Sequence, residues 1–163
     1  MSVSTTINRI SYTGNGAATV YAYTFRILAS SDLKVYVDAV LQTLTTHYTV
    51  SGVGVATGGN VTFITAPADT KAILILRDMP LTQAVDYDEN GPFPANTHED
   101  VVDKLTMIVQ QVTETFGRAL KFATTSTKKD IDVPDPVASK VLAWDSAAAK
   151  LENRTIGVET ISV

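Results

Sequence analysis

Val20-Tyr21-Ala22-Tyr23-Thr24-Phe25-Arg26-Ile27 alternates without a break. In an extended chain Tyr21, Tyr23, Phe25 and Ile27 share one side, and Ala22, Thr24 and Arg26 share the other. This is the pattern of a half-buried strand with an aromatic inner face. Leu33, Val35 and Val37 repeat it around Lys34 and Tyr36, and Asp38-Ala39 supplies a tight turn into Val40–Leu44. Tyr48–Val50, Val61–Ile64 and Ala72–Leu76 are further β-rich runs, and the last is apolar enough for a central strand. Gly14-Asn15-Gly16, Gly58-Gly59-Asn60 and Ala66-Pro67-Ala68-Asp69 separate them as turns. No helix alternates with these strands, so the expectation is an antiparallel sandwich or meander and not a doubly wound parallel sheet.

The period changes at Asn96. Asn96 and Glu99 have capping-box spacing, and Glu99, Asp100 and Asp103 add negative charge near the start of a helix. Val101, Leu105, Ile108, Val112, Thr115 and Ala119 then follow alternating steps of four and three, with Val102, Val109 and Phe116 as a second stripe beside them. Such steps make a coiled-coil seam, and two stripes exceed what one surface-packed face needs. Both stripes could pack on the β domain of the same chain; the sharper expectation places one stripe on the β domain and one against copies of the same chain. Arg118 and Lys121 complement the helix C-terminus. The tract 124–129 and Pro134-Asp135-Pro136 read as a linker, followed by a small apolar knot of Val141, Leu142 and Trp144 with Leu151, suited to downstream docking. The chain is therefore expected to be mainly β, followed by one long α-helix and an extended C-terminal connector. Residues 1–95 form the β-rich sandwich, 96–121 the helix, and 122–163 the linker and short β-like connector.

Composition narrows the chemistry. The 163 residues carry no cysteine, two histidines and a net charge of −4. This argues against thiolate chemistry, against a cofactor or metal site, and against the concentrated positive face that nucleic acid requires. Residues 1–10 lack a signal-peptide core, and no apolar run is long enough to cross a bilayer, so synthesis in the cytoplasm without membrane partners is expected. Asp86-Tyr87-Asp88-Glu89-Asn90-Gly91 matches the first half of a calcium loop, but Thr97 stands where a bidentate glutamate is needed, so an exposed acidic turn is the better reading. Gly52–Gly59 lacks the lysine of a phosphate loop and reads as a mobile loop between strands. Arg77-Asp78 reads as a strand-end ion pair. No catalytic constellation emerges, and the chain is not read as an enzyme. The alternative is a stand-alone carbohydrate- or receptor-binding sandwich using Tyr21, Tyr23, Tyr36 and Trp144 as a platform.

Several of these residues also carry a family likeness. Tyr12-x-Gly14, Tyr23-x-Phe25, Leu33-Lys34-Val35, Tyr48-x-Val50, Gly59-x-Val61-x-Phe63 and Leu76-Arg77 occur in the order found in the N-terminal region of T7-type bacteriophage tail fibre and tailspike proteins. The run from Asn90-Gly91-Pro92-Phe93-Pro94 to Asp100, then Asp103–Met107, Gln110-Gln111 and Gly117–Lys121, resembles that family's helix and its approach. The likeness spans residues 7–122, and Lys140–Asp145 resembles the segment leading to a fibre shaft. It implies a trimeric virion component that anchors a receptor-binding fibre or spike to the tail. Its partners would be tail adaptor, nozzle or tube proteins on one side and a fibre shaft or separate tailspike on the other. A chain ending at Val163 is expected to be a stand-alone adaptor in preference to the first part of a longer fibre.

Overall fold

The computed structural model describes residues 3–89, 91–119, 121–127 and 132–155, in two compact units, 1–119 and 120–163. The first unit contains β1 (Arg9–Thr13), β2 (Val20–Tyr23), β3 (Leu33–Val37), β4 (Val40–Leu41), β5 (Tyr48–Val50), β6 (Gly59–Phe63), β7 (Ala72–Arg77) and α1 (Ala95–Gly117). One antiparallel sheet has the order β1-β7-β3-β4, and a second has β2-β6-β5. The expected antiparallel β domain followed by a long helix is what forms.

The aromatic face of residues 20–27 lies at the centre of the core. Tyr21, Tyr23, Phe25 and Ile27 are buried against Leu33 and Val35 of β3, Val61 and Phe63 of β6, Tyr48, and Ile73 and Ile75 of β7. Regular pairing of β2 ends at Tyr23, yet the inward alternation continues to Ile27. The rings meet at an angle: Tyr21 and Phe63 are edge-to-face at 5.7 Å, and Tyr12 lies 5.3 Å from Tyr21, geometries that aromatic quadrupoles favour. The two deepest phenols are satisfied, since the Tyr23 hydroxyl donates to the Ser51 carbonyl at 2.6 Å and that of Tyr48 donates to Leu33 at 3.1 Å. Burial pushes the Tyr23 phenol up to about 12.

The β3–β4 turn forms at Asp38-Ala39 as its sequence indicates, with both residues at positive φ (47° and 63°), as a two-residue hairpin loop requires. Asp38 accepts Ala72 N–H and the Lys71 ammonium, which ties the turn to the start of β7. Two expectations need correction, and one strand was not foreseen. β4 stops at Leu41: Gln42 N–H still donates to the Val35 carbonyl at 2.8 Å, and beyond it Leu44 makes only an isolated bridge to Tyr48. β1 carries no strict alternation signal of its own and is stabilised by pairing with β7 along its full length. The 52–59 loop is pinned in place: Gly54 N–H donates to Ile27 at 2.9 Å, and Gly58, at φ +85°, sits directly beneath the Tyr23 carbonyl.

Helix α1 begins at Ala95 with Pro94 in the cap position (φ −71°, ψ 117°) and no side-chain cap. The expected Asn96–Glu99 capping box is therefore absent. Proline's fixed φ and its steric effect on Phe93 place the boundary before Asn96, which is already inside the first turn. The helix ends at Gly117, short of the expected residue 121, with Arg118 as its C-cap pairing with Glu114 at 2.7 Å. Leu120 lies outside the described residues, as does Asn90 of the acidic turn. In the second unit β8 (Lys140–Trp144) and β9 (Leu151–Thr155) form an antiparallel hairpin with Trp144 opposite Leu151. Its loop is tied by the Asp145 carboxylate, which accepts Ala149 and Lys150 N–H.

Two outcomes test this core. A Cβ at position 58 would lie 2.0 Å from the Tyr23 carbonyl oxygen, whereas one at position 54 meets nothing within 4 Å at a similar φ of +78°. Gly54→Ala should cost about 1 kcal/mol from backbone strain alone, and Gly58→Ala should cost about 2–4 kcal/mol, read from urea midpoints. The Tyr23 phenol is raised above its unfolded value of 10.0 to about 12, so its share of stability is complete below pH 10 and is lost as pH rises through 12. Tyr23→Phe should flatten the loss of stability across that window by about 1–2 kcal/mol, relative to the parent chain.

Candidate functional site

The site of interest is the long helix, whose two sides face different surroundings. At roughly 100° per residue, Asp103, Met107, Gln110, Gln111 and Glu114 form one face, and that face meets the β domain. Only Met107 is a fully buried apolar side chain there; its companions are polar.

Arg26 holds the N-terminal half. Its side chain is buried and pairs with Asp103 through Nη1 and with Asp100 through Nη2 at 2.7 Å. Asp103 also accepts Val3 N–H at 3.2 Å. Arg26 was expected on the solvent side of its strand with Ala22 and Thr24. It does lie on that side, and the helix covers it there, so it is buried at 7% exposure.

Arg77 and Gln110 hold the middle. Arg77 is fully buried at the inner end of β7, with its guanidinium 5.7 Å from the centre of the Phe25 ring. It donates to the Arg26 carbonyl at 3.1 Å and to Oε1 of Gln110. Burial pushes this guanidinium down to about 10, opposed by the charge of Asp32, and it stays protonated at neutral pH. The expected Arg77–Asp78 pair does not form, because neighbours in a strand point to opposite faces. Asp78 instead accepts Gln111 Nε2 at 3.0 Å. Gln111 accepts Met79 N–H at 2.7 Å, while Gln110 donates to the Thr5 carbonyl and its own carbonyl accepts from Asn8. At the far end Arg9 pairs with Glu114 at 2.7 Å.

The opposite face is apolar and open. Val102, Leu105, Val109, Val112 and Phe116 follow steps of three, four, three and four, and their exposure runs from 41% at Val112 to 68% at Phe116. This line takes Leu105 and Val112 from the first sequence stripe and joins them to the second. Thr115 and Ala119 are exposed as well, whereas Val101 and Ile108 are half-buried. Those two turn toward the strap of residues 79–85, where they line a groove of about 410 Å³ with Leu28, Met79 and Leu105. The flank on the other side is formed by Thr106 and Thr113, whose hydroxyls donate back to the Val102 and Val109 carbonyls.

In the second unit Val141, Leu142 and Trp144 are exposed at 39%, 47% and 39%, and Leu151 is half-buried. The Trp144 ring lies 5.9 Å from Phe122. Tyr21 and Tyr23, two rings of the supposed carbohydrate platform, are buried in the core and present no surface to a ligand. Sequence reading missed the polar side of the helix: Asp103, Gln110 and Glu114 recur at steps of seven and four, a legible stripe whose partners Arg26, Arg77 and Arg9 are scattered along the β domain.

No protein-family model matches this sequence. Over 126 residues, 74% of its length, the chain is 42% identical to the tail spike protein of Salmonella phage epsilon15. This chain is related to a phage tail spike. The shared stretch is 12% of that spike's length, so the likeness concerns a small portion of a much larger protein.

Removing Asp103 should be costly because it leaves Arg26 buried without its closest partner. Asp103→Ala is expected to lose about 3–5 kcal/mol, and the exposed Asp100→Ala less than about 1 kcal/mol, both by chemical denaturation. Replacing the pair together, Arg26→Met with Asp103→Leu, should recover most of the loss.

Proposed function

We propose that this chain is a virion structural component of a phage tail: the module that attaches a receptor-binding spike or fibre to the tail, acting as a homotrimer. In this reading residues 1–95 form the docking body, the helix forms the trimer axis, and residues 122–163 connect to the next module. That next module is a fibre shaft or a separate tailspike, which docks on Val141, Leu142, Trp144 and Leu151. The chain itself performs no catalytic step and takes no cofactor. Its opposite partner is a tail adaptor, nozzle or tube protein.

The observation that supports this reading best is the direction in which the helix faces. A helix that evolved only to complete its own domain would turn its apolar residues inward. Here hydrogen bonds and ion pairs hold the inner face, and five large apolar side chains point outward at coiled-coil spacing. An exposed line of this length on a soluble chain marks a contact surface. Copies of the same chain suit it, because both flanks, Val101 and Ile108 on one side and Thr106 and Thr113 on the other, are free of charge that would repel an identical neighbour. The broad uncharged arc favours more than two helices around one axis, and a closed threefold ring makes them parallel. The likeness to a tail spike supplies the biological setting, with host recognition assigned to parts outside this chain.

Light scattering of the purified protein should give three times the mass of one chain, and a monomer at all concentrations overturns the reading. Leu105 is 59% exposed, so Leu105→Asp should leave the thermal stability of the β domain within about 0.5 kcal/mol of the parent while reducing the particle to one chain. If Leu105→Asp unfolds the domain instead, the helix face belongs to its core.

A further inference from the structure

The groove beside the seam has an occupant implied by the same geometry. Leu28, Met79, Val101, Leu105 and Ile108 line it, and the strap of residues 79–85 forms its outer wall. That strap is held to the helix at two points: Met79 N–H donates to Gln111 and Lys104 Nζ donates to the Thr82 carbonyl. Between them Leu81 is 72% exposed at the rim. The wall is thus fixed in place, yet its largest apolar side chain faces solvent beside an apolar trough.

We infer that the groove and Leu81 form a second strip of the contact between copies, covered by the Thr106–Thr113 flank of the neighbouring copy's helix. This rests on the trimeric reading above and adds to it a part of the β domain's own polypeptide. In a parallel bundle of three helices, the flank on one side of each seam faces the opposite flank of the next helix. Val101 and Ile108 occupy one flank, roughly 40–60° from Leu105, and Thr106 and Thr113 occupy the other at roughly 80–100°. Leu105 belongs to both the seam and the groove, whose lining is mostly apolar with Asp32, Asp100 and Lys104 also on it, so a helix seated on the seam reaches the groove directly across Leu105. The threonines suit this contact. Their hydroxyls are satisfied by their own helix at 3.0 Å and 2.8 Å, which leaves their methyl groups to meet Leu81 and the groove without burying an unpaired donor.

The absence of cysteine gives a test with no background. Leu81→Cys and Thr106→Cys are placed together in the full chain and treated with a short bis-maleimide. Linkage between copies is read from the mass of the joined chains, which a link within one chain leaves at that of a single chain. Chains joined covalently up to the trimer are expected from the double variant and not from either single variant. Val109→Cys on the seam serves as the control. Cross-linking at Val109 without cross-linking of the Leu81–Thr106 pair overturns the inference and leaves the helical trimer standing. Cross-linking at neither, with a monomer by light scattering, overturns both. Leu81→Asp should raise the concentration at which the trimer dissociates about tenfold, with an unchanged circular dichroism spectrum. An unchanged dissociation concentration counts against the contact.

Discussion

The pairing of Arg26 with Asp103 decides how this molecule presents itself. Dispersion contacts tolerate sliding and rotation, because one apolar neighbour is nearly as good as another. A buried guanidinium and carboxylate do not, since a turn of the helix would strand both charges in a poorly solvated place. The Arg77–Gln110 and Arg9–Glu114 contacts repeat the constraint farther along. Together they fix the rotation of α1 about its own axis, with Met107 as the one fully buried apolar contact on that face. Everything said of the outward face depends on that setting.

The β domain supplies the opposite kind of order. Its core is made of rings and branched aliphatic side chains gathered from both sheets, and it needs no ion pair to hold together. The polar helix contacts are fastened to its rim, at the end of β7, at residues 26 and 9, and along the segment preceding β1. A firm apolar body therefore carries a polar socket, and the socket holds a helix whose free side is apolar.

Much of this was legible in the sequence. Alternation located the residues of β2 and β3, because burial on one face of a sheet writes itself at every second position, while β-rich composition located β6 and a near-continuous apolar run located β7. Asp38-Ala39 announced its turn, and the 3.6-residue period announced the helix. What could not be read was which side of the helix faces inward. Periodicity reports that apolar residues share a face and is silent on whether the face meets the same chain. Arg26 and Arg77 looked like surface residues, since a charged side chain in a strand normally points to water. Their burial depends on partners 77 and 33 residues away in sequence, and no local pattern carries that. The capping box failed for a nearer reason: two prolines at positions 92 and 94 dictate where the helix can begin, and they override the caps that follow.

The segment ahead of β1 has a consequence in time. Val3, Asn8 and Arg9 reach the helix at Asp103, Gln110 and Glu114, across sequence separations of 100, 102 and 105 residues. A chain leaving the ribosome can assemble both sheets once Arg77 has emerged, but Val3, Asn8 and Arg9 must wait for roughly 26 to 37 further residues before their partners exist. The order of synthesis thus lets the helix seat onto a body already formed. Until then its apolar line has no fixed heading. The outward heading of the helix is thus settled by the same contacts that tie the first residues of the chain to positions beyond its hundredth.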